Sequence, residues 1–123
     1  MIVGHPRCGT GFTAHFLAQM GFDIGHEADG RDGLASWMFA VDGPVPYARD
    51  AVARRREALR WEKLIMPVRD ISMAVPSIMR DNIFAPSSYD FRRRHIAETG
   101  GVDLNSLPNN FQRAVVSFLH WNG

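Results

Sequence analysis

The chain has 123 residues, a formal net charge of +1 and a 46% share of hydrophobic residues, which fits one domain with a core of ordinary size. Near-neutrality gives no general attraction to nucleic acid, and no apolar run approaches the roughly 20 residues of a membrane span. Cys8 is the single cysteine, so neither an internal disulfide nor a cysteine-based metal knuckle can form; a cytoplasmic setting without a signal peptide is expected.

Met1-Ile2-Val3 reads as a short buried strand. Gly4-His5-Pro6-Arg7-Cys8-Gly9-Thr10-Gly11 follows as a glycine-rich turn, and Phe12 to Met20 as a helix with Phe12, Phe16, Leu17 and Met20 on one side. Strand, glycine turn and helix together set free backbone N–H groups and the positive end of a helix dipole beside an anion. Gly4 and Gly9 have the spacing of the nucleotide-binding phosphate loop, but that loop requires Lys and then Ser or Thr after the second Gly. Thr10 and Gly11 stand there instead, and Arg7 is the only nearby cation. The pattern therefore describes a phosphate cradle without the lysine–magnesium arrangement, or else a glycine turn present for packing alone.

Phe22-Asp23-Ile24-Gly25 is predicted as a second strand, with His26-Glu27 just past its end. Ala28 to Gly33 reads as a loop, and Leu34 to Ala40 as a short helix stopped by Asp42-Gly43-Pro44-Val45-Pro46. Ala48 to Arg60 has helical propensity, with Arg54, Arg55 and Arg56 on a solvated face. Leu64 to Val68 is the third strand, ending at Arg69-Asp70. Ile71 to Asp81 reads as a helix in which Pro76 implies a kink or a late start. Asn82 to Pro86 is a turn region, and Ser87 or Ser88 opens a helix to about Thr99, broken by Gly100-Gly101. A last helix follows Leu107-Pro108 with Phe111, Val115, Phe118 and Leu119 as its apolar face. Strands alternating with helices predict an α/β domain with a short parallel sheet. Three strands leave an edge open to another chain, so a homo-oligomer through open sheet edges is expected.

Ligands of open α/β sheets gather at the carboxyl ends of the strands, which singles out Arg69 and, eight residues on, the hydroxyl of Ser77 as anion partners. His26 and Glu27 end the second strand; either an imidazole or a carboxylate there is a candidate general base. Residue types alone do not choose between them. Asp29, Arg31 and Asp32 read as exposed loop residues. His5, His26 and His95 lack metal-site spacing, and His15 and His120 read as structural. Thirteen of the fourteen basic residues are Arg, with Lys63 the exception; Arg suits bidentate oxyanion recognition, although genomic bias produces the same excess.

The run from Ile2 to Phe12 resembles the opening strand and loop of sulfotransferases that use 3′-phosphoadenosine 5′-phosphosulfate. In that family a Pro, a basic residue, Ser, Gly, Thr and Thr wrap the 5′-phosphate; Pro6, Arg7, Gly9 and Thr10 match, whereas Cys8 replaces the Ser and Gly11 the second Thr, with Thr13 as a partial substitute. Ile65-Met66-Pro67-Val68-Arg69-Asp70 followed by Ser77 resembles the family's second element, which holds the 3′-phosphate; Ile71 stands where a Pro is usual. The resemblance covers about residues 1–81. It implies a three-layer P-loop-like fold, of which this chain has only the N-terminal part as a single nucleotide-binding domain lacking the family's later glycine- and basic-rich segment. It also implies sulfuryl transfer to a hydroxyl or amine of a small-molecule or glycan acceptor, release of adenosine 3′,5′-bisphosphate, and no required metal. Arg7 would stabilise the leaving oxygen. For the base the resemblance selects Glu27, with His26 as the rival. Two other readings stand beside this one: a small ATP-dependent kinase with a degenerate phosphate loop, and a non-enzymatic α/β interaction module.

Overall fold

The computed structural model describes residues 1–40 and 60–122. The stop expected at 42–46 and the helix expected over 48–60 lie outside them, apart from Arg60. The described residues form an α/β arrangement of four α-helices and a small parallel sheet. They divide into two compact units, Met1–Val68 and Arg69–Gly123.

In the first unit α1 is Thr10–Gln19, β1 is Ile24–His26 and β2 is Gly33–Ala35. β1 and β2 pair in parallel, Ile24 opposite Gly33 and His26 opposite Ala35. Ile2 adds single parallel bridges to Ala35 on one side and Ile65 on the other. The lateral order is thus β1, β2, Ile2, Ile65. Successive residues of a strand point to opposite faces, and the core follows that rule. Ile2 and Ala35 pack with Ala14 of α1 on one face, joined by Leu17 and Ile24. Val3 and Leu34 pack with Met38 and Phe39 of a 3-10 turn, Trp37–Ala40, on the other.

Three expectations change here. Leu34 and Ala35 are strand residues rather than the start of a helix, and only the following four residues coil. β1 begins and ends later than the predicted 22–25. The face of α1 laid on the sheet carries Thr10, Ala14 and Leu17, whereas Phe12, Phe16 and Met20 are 76%, 54% and 60% exposed. Small side chains let the helix axis approach the strands; three large apolar residues at helical spacing gave the opposite expectation.

Parallel strands ordinarily need a crossover of a dozen or more residues, yet only residues 27–32 link β1 to β2. Glycine makes the short link possible. A Cβ on Gly25 would sit 2.0 Å from the Ala28 carbonyl oxygen, and one on Gly30 would sit 2.3 Å from that of Asp23. Side chains then fasten the link: Asp23 accepts the Arg31 amide at 3.0 Å, and Asp32 accepts the Asp23 amide at 2.8 Å.

In the second unit α2 is Ile71–Phe84, α3 is Pro86–Gly100 and α4 is Asn110–Asn122, with a 3-10 turn at Leu104–Ser106 before α4. Asp70 caps α2 by accepting from the Ser72 amide at 2.8 Å. The helix starts there and continues through Pro76, so of the kink or late start expected the late start does not occur. It also runs on through most of the predicted turn region, and α3 begins one residue after Ala85 with Pro86 in its first turn, where a missing N–H is tolerated. Ala74, Val75 and Ile78 of α2, Phe91 and Ile96 of α3, and Ala114 and Phe118 of α4 are buried. Phe111 and Leu119, expected on the apolar face of α4, are more than half exposed.

Arg92 of α3 is fully buried in this unit and bonds to α2. Its guanidinium meets the Asp81 carboxylate at 2.5 Å, the Ser88 hydroxyl at 2.8 Å and the Asn82 side-chain oxygen at 2.7 Å. Asn82 donates onward to Asn110 at 2.8 Å, which donates to the Met79 carbonyl at 2.9 Å.

Two stability outcomes follow from these contacts. Gly30→Ala should destabilise the protein by about 1–3 kcal/mol, because backbone rather than a movable side chain blocks the new methyl. Arg92→Met should cost about 3–5 kcal/mol, because Asp81 loses the partner of a buried ion pair. Urea unfolding reads both; midpoints unchanged from the parent protein would contradict the packing described.

Candidate functional site

The turn after Ile2 is built by backbone conformation. The Cys8 amide donates to the His5 carbonyl at 3.0 Å, closing a four-residue turn with Pro6 and Arg7 at its centre. Pro fixes the first central φ, and Arg7 takes φ 72°, the left-handed value that a type II turn places at its second central residue. A non-glycine residue there is held against an intrinsic cost of about 1–2 kcal/mol. The turn leaves Arg7 exposed at its tip while His5, Pro6 and Cys8 are buried.

Gly9 follows at φ 106° as the N-cap of α1, and no side chain caps the helix. The early amides of an α-helix have no partner within it, so the first turn of α1, Thr10-Gly11-Phe12, offers N–H groups beside the Arg7 turn. Thr13 is committed elsewhere: its amide and hydroxyl both donate to the Gly9 carbonyl, at 2.9 Å and 3.0 Å. Its hydroxyl therefore fixes the loop. Cys8, only 5% exposed, likewise presents no group at the surface. Thr10 is buried, and Gly4 lets Pro67 approach, its Cβ position lying 3.4 Å from the Pro67 carbonyl oxygen.

The end of β1 reaches this loop through His26. Its imidazole lies 3.1 Å from where a Cβ on Gly11 would be. The absence of a side chain at Gly11 is what admits the ring, a relation between two distant positions that neither reveals alone in the sequence. Glu27 comes next with φ 53°, donating its amide to the Ala35 carbonyl at 2.8 Å. Arg7 and Glu27 are the two non-glycine residues at positive φ among the described residues, and each sits at the carboxyl end of a parallel segment of one sheet.

Arg69 and Ser77 belong to the second unit. Arg69 directly precedes the Asp70 cap of α2, and Ser77 lies two turns into that helix; both are half-buried. Asp29 and Arg31 are exposed. The bonds from Arg31 and the Asp23 amide lower the pKa of Asp32 to about 2, and the bonds from Ser72 hold Asp70 below its usual value.

A separate cavity of about 670 Å³ opens at the amino ends of the strands, lined by Leu17, Phe22, Ile24, Leu34, Trp61 and Ile65 among others. It lies at the opposite end from the loop, and the loop's donors do not line it. Among the described residues there is no group of three or more His, Cys, Asp or Glu able to hold a metal ion, and no helix long and apolar enough to cross a membrane. No family model matches the chain, and neither a curated protein nor a solved structure matches it.

Asp32 gives the link a pH signature. Its folded pKa is depressed, so its stabilising contribution is complete above the ordinary value of 3.8 and is lost as pH falls towards about 2. Asp32→Asn should remove that part of the acid transition. Chemical-shift titration of the Asp23 amide checks this: a midpoint near 3.8 would contradict the Arg31 bond.

Proposed function

We propose that the Arg7 turn and the first turn of α1 bind an anionic group of a nucleotide, and that the chain is a sulfotransferase-type domain acting with 3′-phosphoadenosine 5′-phosphosulfate. The observation that carries this reading is the uncapped amino end of α1 at the carboxyl end of a central parallel segment, with an exposed Arg7 on one side and the His26 ring on Gly11. These features fit a phosphate or sulfate: backbone donors at the first turn of a helix, a cation, and close approach permitted by Gly9.

The bound nucleotide would supply an activated sulfuryl group. Arg7 and the amides of α1 would stabilise charge on the oxygen from which sulfur departs, an effect for which loss of one donor costs about 3 kcal/mol. An acceptor hydroxyl would lose its proton to a base of this chain as its oxygen bonds to sulfur. The contact with Gly11 favours His26 for that role, since an imidazole can accept the proton of a hydroxyl; Glu27, selected by the family resemblance, is the other candidate. Arg69 and Ser77 are proposed as partners of the 3′-phosphate on the strength of the resemblance alone. The acceptor is a small molecule or glycan, the reaction needs no metal, and the single buried Cys8 suits a cytoplasmic protein.

Calorimetry tests the reading. Adenosine 3′,5′-bisphosphate should bind more tightly than adenosine 5′-monophosphate, and Arg7→Ala should weaken it by about 10- to 100-fold, as expected for a charged hydrogen bond of about 1.5–3 kcal/mol. Tighter binding of ATP with Mg²⁺ would favour the kinase reading, and no binding of any of the three would favour an interaction module. In a transfer assay His26→Gln should reduce turnover by about 10²–10⁴ while sparing nucleotide affinity; the same pattern in Glu27→Gln alone would assign the base to Glu27.

A further inference from the structure

We draw no further inference here: the strongest candidate, the largely apolar cavity of about 670 Å³ at the amino ends of the strands in the first unit, carries nothing, because it is bounded by Arg60 and Trp61, where the described residues resume, and nothing in the structure shows what covers or fills it.

Discussion

Ile2 donates its amide to the Leu34 carbonyl at 2.8 Å and accepts the Ser36 amide at 2.9 Å, while on the other side Val3 and Met1 bond to Ile65. Everything in the first unit that concerns the candidate site hangs on this double pairing. It makes Met1–Val3 the interior segment of the parallel arrangement, delivers the chain into the Pro6–Arg7 turn at the carboxyl end, and sets α1 against one face through Ala14. The same pairing aligns β1 beyond β2, so that His26 emerges at the level of Gly11. A backbone ladder of so few bonds gains little from any one of them; apolar residues on both faces, Ile2 with Ala35 and Val3 with Leu34, keep it dry.

The second unit is organised by a polar group. Arg92 is an expensive residue to bury, and it is tolerated because Asp81 supplies the charge and Ser88 and Asn82 two further acceptors. The consequence is geometric: a planar guanidinium with fixed partners on α2 and α3, extended by Asn82 to Asn110 on α4, specifies how three helices meet. Ser77 rides on α2 and Arg69 directly precedes its Asp70 cap, so their placement rests on this network and on that cap.

What was legible in the sequence was whatever the backbone dictates locally. The glycine turn, the helix after it, the amphipathic helices beyond Asp70 and the α/β class all follow from such signals. The faces of the helices were less legible. Phe12, Phe16 and Met20 have the spacing of a buried stripe, but the turn before α1 fixes its rotation and lays Thr10, Ala14 and Leu17 on the sheet. β2 escaped notice because Gly33-Leu34-Ala35 is too short to show a period and follows a link shorter than parallel strands ordinarily use. The glycines at 25 and 30 carried that signal, since both must lack a Cβ for the link to close. The meeting of His26 with Gly11 was legible only in three dimensions. Glycine at position 11 is in the structure the room for an imidazole.

The central claim is that the first turn of α1 is an anion site completed by Arg7 and His26. Amide and imidazole NMR during titration with adenosine 3′,5′-bisphosphate tests it most directly. The account predicts saturable shifts at the Gly9, Thr10, Gly11 and Phe12 amides and at the His26 ring, at one common affinity. Saturable shifts confined to residues lining the cavity at the amino ends of the strands, with these amides and the His26 ring unmoved, would contradict it.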